Sequence, residues 1–419
     1  MANTLKFGNG QWATKVGSTL AYNDENGNFK PLPFNFTRST GGTRVNKDGL
    51  IEVVTNNKPR IDFLNDSNGA LLLEPQRSNL ALYSNDLSNA AWSNSYSTIT
   101  SNAAISPDGT TNANKVVETT DTGLHRAGQG AIAVTSGQVY TFSFYAKAAE
   151  RNQLELQRIN TSGTVFNSIS VTTADLILGT LSVGLNVTSS SINSVGDGWY
   201  RISLSLTAIA TGSGGLNIGM QKDGNVSYLG DGTSGVYIYG FQAEQGSYAT
   251  SYIPTQGATA TRVAEVCTGA GNATVFNSLE GVLYINTAVL TQSGENRWIS
   301  IHDNTGNNDV ELRYTSNTNQ IRCKYVIGSV AIADVFFTVT DATQFSKIAF
   351  KWASSDFALW IDGVEVATSL TGATSNVAFD ELSFDVSNLG SSNFYGNIKN
   401  VRVYNTALTD LQLQQLTTL

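Results

Sequence analysis

Residues 69–80 read GALLLEPQRSNL, and residues 236–254 read VYIYGFQAEQGSYATSYIP. Each segment begins with an apolar run that is typical of a β-strand and then breaks into a charged or aromatic turn. We expect these two runs to be the first and last strands of one closed β-sandwich, lying side by side. The two segments would then mark the boundaries of a domain in the middle of the chain.

The composition indicates an all-β protein. Charged residues make up only 14% of the 419 residues, so most of the polarity comes from small hydroxyl and amide side chains. Such side chains suit β-turns and strand faces and disfavour long helices. A chain of this length can form two or three domains, each with its own core.

Charge and hydropathy exclude several classes of function. The net charge of −8 argues against nucleic-acid binding, which needs clustered Lys and Arg side chains. No run approaches the roughly 20 apolar residues that span a bilayer, and residues 1–10 lack the apolar run of a signal peptide. We therefore expect no membrane insertion and a protein that is made and kept in a cytoplasm or released without ordinary secretion. The two cysteines, Cys267 and Cys323, are expected to be buried apolar side chains rather than a disulfide framework.

Patterns along the chain predict three regions. Residues 1–75 are turn-rich, and their short strand-like runs carry too little apolar surface to fold alone, so we expect them to pack onto something else. Residues 76–262 alternate apolar and polar side chains, as in the run 139–146, with turn signals rather than helical patterns between the runs. Residues 263–419 continue this alternation as a further sandwich.

The last part of the chain carries two sharper local signals. Asp362-Gly363 predicts a tight hairpin between two apolar runs. Thr409, followed three residues later by Gln412, predicts a capping box that begins one short helix. The predicted fold is therefore all-β: two tandem antiparallel β-sandwiches of the jelly-roll type, preceded by a small irregular β segment and followed by one short C-terminal helix.

Several of these segments resemble parts of known families. The runs LLLEPQRSNL and GFQAEQGSYATSYIP are similar to the opening and closing segments of jelly-roll modules in tailed-bacteriophage virion proteins. Residues 1–75 resemble the leader that precedes such modules, and the closing strand and helix resemble those of concanavalin A-like (laminin G-like) lectin domains. The resemblance implies an attachment segment at 1–75, a carbohydrate-binding-module-like jelly roll at 76–262 and a concanavalin A-like sandwich at 263–419.

The same resemblance implies a function. It points to a non-enzymatic virion structural protein, such as a head fibre, a capsid decoration or a tail fibre, assembled in the host cytoplasm. Residues 1–75 would attach it to other virion proteins, and the sandwiches would bind host-surface or environmental glycans. A homo-oligomer such as a trimer fits this role, because weak sugar sites gain avidity when they are repeated. The alternative is the carbohydrate-binding portion of a glycan-degrading enzyme, while a bacterial adhesin would need a secretion signal and an anchor.

Sugar binding needs an aromatic platform with polar side chains nearby. Trp199 and Trp352 lie on strongly alternating runs and are expected to pack in the core or at an edge. For each of the other aromatic residues, packing in the core is the competing interpretation. The candidates for carbohydrate contact are Trp92, Tyr145, His125, Trp298, His302 and Trp360.

Calcium is the one metal that the sequence suggests. The loop 303–309 reads DNTGNND, and its Asp303 and Asp309 could supply the oxygen ligands that calcium prefers. The jelly-roll resemblance implies a structural calcium near the first and last strands, which nominates Glu74 and Glu244. The competing interpretation is an Asn/Asp turn in the loop and a salt bridge between Arg77 and a glutamate.

Catalysis is not expected. Glycoside hydrolysis needs two carboxylates about 5–10 Å apart, and on a strand this favours alternate acidic residues. In the run 380–385, Glu381 and Asp385 could share a face but would lie about 13 Å apart along an extended strand. The Gly-x-Ser-x-Gly motif of serine hydrolases is absent, and His125 has no nucleophile motif beside it.

Overall fold

The computed structural model describes residues 2–19, 28, 31–64, 66–161, 163–167, 172–292, 294, 296–386 and 392–418. The all-β prediction is confirmed. The strands up to residue 80 are β1 (Leu5–Gly8), β2 (Thr14–Lys15), β3 (Ser18–Thr19), β4 (Asn35–Thr37), β5 (Gly42–Val45), β6 (Ile51–Val54), β7 (Arg60–Asp62), β8 (Ala70–Leu73) and β9 (Arg77–Asn79).

The middle of the chain forms longer strands. They are β10 (Ser93–Ser95), β11 (Ser97–Ile105), β12 (Thr111–Glu118), β13 (Thr122–Leu124), β14 (Arg126–Val134), β15 (Val139–Ala148), β16 (Gln153–Asn160), β17 (Thr172–Asp175), β18 (Thr180–Ser182), β19 (Ser189–Gly196), β20 (Trp199–Thr207), β21 (Gly212–Gln221), β22 (Ser227–Leu229), β23 (Gly235–Gln245) and β24 (Ala260–Arg262).

The last third of the chain contains further strands and a helix. They are β25 (Val266–Thr268), β26 (Glu280–Val289), β27 (Arg297–His302), β28 (Asp309–Tyr314), β29 (Gln320–Ile327), β30 (Val330–Thr338), β31 (Ser346–Ala353), β32 (Phe357–Ile361), β33 (Val364–Ser369), β34 (Glu381–Ser383), β35 (Gly396–Tyr404) and α1 (Asp410–Thr417).

The chain divides into two compact units, and both are discontinuous in sequence. The terminal unit comprises residues 1–41, 54–75 and 263–419, and the central unit comprises residues 42–53 and 76–262. The structure thus shares residues 1–75 between the two units, so that this segment does not stand apart as a leader. The boundaries at 75/76 and 262/263 coincide with two of the points at which the chain passes between units.

The terminal unit is built around two antiparallel sheets. One has the strand order β33-β32-β31-β26-β35-β8-β7, with β1 also paired to β35, and the other has the order β30-β29-β28-β27-β34. A smaller sheet of β2, β3, β4 and β25 lies beside them. Side chains of all three sheets form one core, to which the N-terminal strands contribute Leu5, Phe7, Phe36, Ile61, Leu71 and Leu73.

Strand β35 explains why the N-terminal strands belong to this unit. One edge of β35 pairs with β26, and the other pairs with β1 near Val403 and with β8 near Ile398. The predicted pairing of the Leu71–Leu73 run with the run at 236–244 is therefore wrong, because β8 pairs with β7 and β35. Three leucines specify a buried strand but not the sheet that it joins.

Local signals in the terminal unit are confirmed. Asp362 and Gly363 both have positive φ, at 49° and 84°, as a tight hairpin between β32 and β33 requires. Thr409 caps α1 as a capping box with Gln412, and α1 packs its buried Leu413 with Trp360 of the large sheet. Within the described part of the chain, no helix has both the length and the apolar character needed to cross a membrane.

The burial predicted for both cysteines and for Trp199 and Trp352 is confirmed as well. Cys267 and Cys323 lie in the core of the terminal unit, where burial raises the pKa of both thiols well above the ordinary value. Trp352 is fully buried in the same core, and Trp199 is 2% exposed in the central unit.

The central unit is a jelly-roll-like sandwich of two six-stranded sheets. Their strand orders are β10-β14-β21-β16-β17-β18 and β11-β12-β23-β15-β20-β19. The alternation of β15 places Phe142 and Phe144 in one core with Leu156 and Ile218 from the opposite sheet. The hairpin β5–β6 and the pairs β13–β22 and β9–β24 complete the unit.

Segments 69–80 and 236–254 do meet, mainly through one side chain. Asn79, which is fully buried, donates from Nδ2 to the carbonyl oxygen of Ile253 at 2.8 Å. Its Oδ1 accepts from the backbone N–H groups of Ala81 at 3.1 Å and Ala243 at 3.0 Å. Leu80 adds a backbone hydrogen bond to Ala243. The motif therefore closes the central unit as expected, with Asn79 rather than the leucine run making the contact.

A buried ionic cluster lies in the terminal unit. The guanidinium groups of Arg38 and Arg60 contact the Glu265 carboxylate at 2.6 and 2.5 Å, and Arg60 also contacts Glu74 at 2.8 Å. The side chains of Arg38, Arg60 and Glu265 are 0% exposed, and that of Glu74 is 4% exposed. Burial opposes the charge on Arg60, but Glu265 and Glu74 outweigh it, so the pKa of Arg60 is raised. The cluster joins three sequence-distant segments at one point.

Replacing the shared carboxylate should destabilise the terminal unit strongly. Glu265→Gln removes the negative charge that the buried Arg38 and Arg60 share, and breaking a buried pair in this way costs about 3–5 kcal/mol. The control is Asp334→Asn, which breaks the partly exposed Arg322–Asp334 pair and should cost at most about 1 kcal/mol. Urea unfolding of the full chain measures both losses, and equal losses would contradict the role given to the cluster.

Residues 263–419 alone should not fold cooperatively. They lack the six core side chains of the N-terminal strands, and at about 1.5–3 kcal/mol each the loss is roughly 9–18 kcal/mol. That equals the whole stability of many domains, about 5–15 kcal/mol. Fragment 76–262 is the control, because the main core of the central unit draws all its residues from that range. A dispersed NMR spectrum and a sharp melting transition for 263–419 would overturn this prediction.

Candidate functional site

A groove of about 720 Å³ opens on the central unit. Its buried floor is formed by Tyr239 of β23 and Tyr252 of the segment that follows β23. Its rim is exposed and includes Val53 of the β5–β6 hairpin, Asp86 and Gln256. The groove is thus assembled from loops that lie far apart in the sequence. Concave sites with an apolar base and a few polar groups are the usual form of small-ligand sites.

Asp108 organises one wall of the groove. It lies in the turn between β11 and β12, and five donors converge on its carboxylate: the Ser106 hydroxyl, the Thr110 N–H and hydroxyl, the Asn112 amide and the Tyr239 hydroxyl. Their distances lie between 2.7 and 3.0 Å. Burial opposes ionisation of Asp108, but the donors from Thr110, Asn112 and Ser106 outweigh it, so its pKa is lowered. The carboxylate is therefore charged at neutral pH and fixes the turn against Tyr239.

The floor is part of a tyrosine cluster. The ring centroids of Tyr239 and Tyr252 lie 5.5 Å apart, and Tyr145 lies 5.8 and 6.4 Å from them. The Tyr252 hydroxyl bonds the Ser84 hydroxyl at 2.7 Å. These contacts position the two floor rings against neighbouring side chains. Tyr145, a predicted sugar contact, is 5% exposed and lies behind the floor, so it supports the groove rather than lining it.

Asn112 leaves an acceptor in the groove wall. Its amide nitrogen donates to Asp108 at 2.8 Å, whereas its buried Oδ1 has no hydrogen-bond partner among the described residues. A buried unpaired carbonyl oxygen is costly, and a ligand hydroxyl would satisfy it. Sequence reasoning missed this residue and Asp108, because Asp108-Gly109 signals only a turn when it is considered alone.

Trp92 borders a different cleft of the central unit, of about 430 Å³, together with Arg126 and Asn217. Its Nε1 donates to the carbonyl oxygen of Tyr83 at 2.9 Å, and its ring packs edge-on against Phe241 at 5.1 Å. The ring is 5% exposed. Stacking on a sugar needs an open ring face, and the predicted role of Trp92 as a platform does not fit this placement.

His125 is also buried, at 1% exposed. Its two ring nitrogens lie 2.6 Å from the carbonyl oxygen of Tyr96 and 3.0 Å from that of Tyr228. Both nitrogens are therefore occupied by the backbone, and the imidazole has no free group for a ligand.

The predicted aromatic contacts of the terminal unit do not come together as a platform. Trp360 is 6% exposed and packs with α1, and His302 is 0% exposed with Nε2 3.6 Å from Glu381. Burial lowers the pKa of His302 below its ordinary value. Trp298 keeps partial exposure, but the Arg313 guanidinium lies 4.5 Å from its ring centroid. Trp298 is thus the predicted residue that retains access to solvent.

The predicted calcium ligands are engaged by protein groups. Asp303 accepts the Thr305 N–H and hydroxyl at 3.0 and 2.7 Å and the Asn308 amide at 2.5 Å, which makes an Asx-type turn. Glu74 pairs with Arg60 in the terminal unit, and Glu244 of the central unit accepts from Thr250.

Calcium binding at these residues stays a prediction. Asp309 is 3% exposed on β28, opposite His302. Across the described part of the chain, acidic, His and Cys side chains form no cluster of three or more suited to a metal ion.

One pair of carboxylates, Asp309 and Glu311, was not identified from the sequence. Val310 and Leu312 of β28 lie in the core, so Asp309 and Glu311 point to the opposite face of the strand. Alternate Cα atoms on a strand are about 7 Å apart, and the carboxyl groups of a glycosidase pair lie about 5–10 Å apart. Both side chains are buried, at 3% and 6% exposed. Burial raises the pKa of Glu311 above its ordinary value. The acid–x–acid spacing of 309–311 was visible in the sequence, but the loop before it drew attention to calcium instead.

Comparison with known proteins locates a lectin-like fold. Residues 273–414, in the terminal unit, match the family described as the Concanavalin A-like lectin/glucanases superfamily. This agrees with the fold predicted from the closing strand and helix. No curated protein sequence matches the chain.

Several solved structures are similar at low identity. The CBM40 domain of the Ruminococcus gnavus IT-sialidase is 17% identical, with a TM-score of 0.30, over 35% of this chain and 86% of that one. Domain 4 of AbnA, a GH43 extracellular arabinanase from Geobacillus stearothermophilus solved with arabinotriose, is 15% identical, with a TM-score of 0.31, over 41% and 82%. The binding domain of botulinum neurotoxin serotype G is 12% identical, with a TM-score of 0.28, over 36% and 39%.

The Asp108 wall should weaken in acid. Because the pKa of Asp108 is lowered on folding, its carboxylate stabilises the fold above the ordinary carboxyl pKa of about 3.9, and this contribution is lost as the pH falls through the lower folded-state value. Asp108→Asn should therefore be less stable than wild type at pH 7, and the difference should shrink below about pH 4. Urea unfolding across pH measures this, and a difference independent of pH would contradict it.

Proposed function

We propose that this chain is a non-enzymatic structural protein of a tailed-phage virion that binds host-surface or environmental glycans. The observation that carries the glycan part is the groove of the central unit, in which the Asp108 wall and a tyrosine floor surround an unpaired acceptor on Asn112. The virion part is supported by the resemblance of segments 69–80 and 236–254 to phage jelly-roll modules. The lectin-like match in the terminal unit is consistent with both.

The groove suits a saccharide in its chemistry. Sugars offer hydroxyl groups that both donate and accept, and the groove presents carboxylate, amide and hydroxyl groups of Asp86, Asn112 and Thr110. The apolar faces of a sugar ring need non-polar contact, and Ile51, Val53 and Pro254 provide it at the rim. Because the floor rings are already packed and hydrogen-bonded, less ordering is needed when a ligand binds.

Attachment to the virion would use a folded surface. Side chains of β1, β4, β7 and β8 are part of the terminal core, so the N-terminal segment is not a detachable tail. We place the contacts to other virion proteins on the exposed residues of segment 1–75. A homo-oligomer, such as a trimer, would repeat the groove and raise the avidity of weak sugar sites.

Rim substitutions should weaken glycan binding without unfolding the protein. Asp86 and Gln256 are exposed, and a net hydrogen bond contributes about 0.5–1.5 kcal/mol. Asp86→Ala combined with Gln256→Ala should therefore reduce affinity roughly tenfold for the strongest neutral ligand on a glycan array, measured by isothermal titration calorimetry. Glu365→Ala, an exposed site on β33 in the terminal unit, is the control. Unchanged affinity in the double variant would remove the groove as the sugar site.

The virion role has its own test. Immunogold labelling of intact phage particles with antibodies against this chain should decorate the head or the tail, and mass spectrometry of purified particles should contain it. Its absence from particles would overturn the virion proposal while leaving glycan binding open.

The second candidate is a glycan-degrading enzyme or the carbohydrate-binding portion of one, and a specific observation favours it. Asp309 and Glu311 share one face of β28 at about the spacing of a catalytic pair. The discriminating assay is release of reducing sugar from a polysaccharide panel by wild type and by Asp309→Asn and Glu311→Gln. Turnover that both substitutions abolish would establish the enzyme; the structural role predicts none.

A further inference from the structure

A second cleft of the central unit, of about 690 Å³, contains a cation without a counter-charge. The cleft is lined by Arg77, Gln138, Tyr140, Gln245, Gly246 and Ser247, among others. Arg77 belongs to the EPQRSNL run, and the sequence left open a salt bridge between Arg77 and a glutamate. The structure does not form that bridge: among the described residues, the guanidinium has no carboxylate partner.

The guanidinium of Arg77 has a fixed position, but some of its N–H donors lack hydrogen-bond acceptors among the described residues. Its Nη1 donates to the carbonyl oxygen of the neighbouring Gln76 at 3.0 Å, and the group lies 5.3 Å from the ring centroid of Tyr248. Its Nε is buried and has no hydrogen-bond partner within the described chain. A guanidinium carries five N–H donors, so most of those on Arg77 are unused. In a protein with a net charge of −8, a half-buried cation with no carboxylate partner among the described residues is unusual.

The surroundings keep the cleft open beside this cation. Gly246 has a φ of 145°, and a Cβ built on it would lie 3.0 Å from both Nε and Nη2 of Arg77. Glycine therefore permits the guanidinium to lie against the backbone. The amides of Gln138 and Gln245, which bond each other at 3.0 Å, and Ser247 supply neutral polar groups across the cleft.

We propose that this cleft binds the carboxylate of an acidic saccharide, with Arg77 as the recognition residue. A guanidinium matches the two oxygens of a carboxylate with two parallel hydrogen bonds, and the glutamines and Ser247 can bond the hydroxyl groups of the same sugar. The inference rests on the proposed glycan-binding function but concerns a different cleft. It adds a class of ligand, uronic or sialic acid sugars, that the Tyr239 groove does not require.

The test uses the full chain on a panel of uronic and sialic acid oligosaccharides, each paired with its carboxyl-reduced alcohol. Wild type should bind at least one acid at least tenfold more tightly than its reduced form, and this preference should weaken as salt rises. Arg77→Gln should lose the preference. Arg77→Lys keeps the charge but lacks the planar fork, so it should retain only part of it. Lys222→Gln, which removes a cation elsewhere on the unit, should keep all of it.

The outcomes are distinguishable. Equal binding of acids and reduced forms by wild type, or an undiminished preference in Arg77→Gln, overturns the Arg77 site while neutral-glycan binding in the groove stands. Binding of no saccharide overturns this site and the proposed glycan function together. Melting temperatures of the variants separate loss of binding from loss of folding, and Arg77 makes few contacts that would destabilise the unit. Gly246→Ala gives a second check, since the added methyl group should displace the guanidinium and reduce the preference.

Discussion

Two buried arginines and two buried glutamates fix the course of the chain. The chain passes between the two units after residues 41, 53, 75 and 262. Arg38, Glu74 and Glu265 lie within three residues of three of these points, and Arg38 also donates to the carbonyl oxygens of Val54 and Thr55 at the fourth. Because charges buried without partners are very unfavourable, all four stretches must meet for the cluster to form. The discontinuous terminal unit depends on that meeting.

Local patterns predicted local structure well. The strands β15 and β20, the hairpin at Asp362-Gly363 and the capping box at Thr409 all depend on neighbouring residues, and each formed as expected. The placement of β8 did not follow from sequence, since its hydrogen-bond partner β35 lies at the far end of the chain. Register and partner choice are decided by packing against the rest of the core, which a short apolar run does not encode.

Site residues were harder to predict for the same reason. A tryptophan flanked by small polar residues looks exposed in sequence, yet Trp92 turns its ring onto Phe241. The Tyr239 groove takes its walls from a hairpin, two turns and the segment after β23, and each of these resembles an ordinary loop by itself. Only the Asp309–Glu311 pair could have been found from alternation, because Val310 and Leu312 mark the buried face.

Segment 69–80 contains residues that hold the fold together and one residue that we propose contacts a ligand. Asn79 bonds four backbone groups and Glu74 pairs with Arg60, so both are committed to holding the fold. Arg77, two positions before Asn79, uses one of its donors on a neighbouring carbonyl and leaves its buried Nε unbonded. A resemblance in this motif therefore indicates how the sandwich is closed, and it gives little information about the ligand. The ligand chemistry follows from the groups that closure leaves unsatisfied, and in this segment that group is the Arg77 guanidinium.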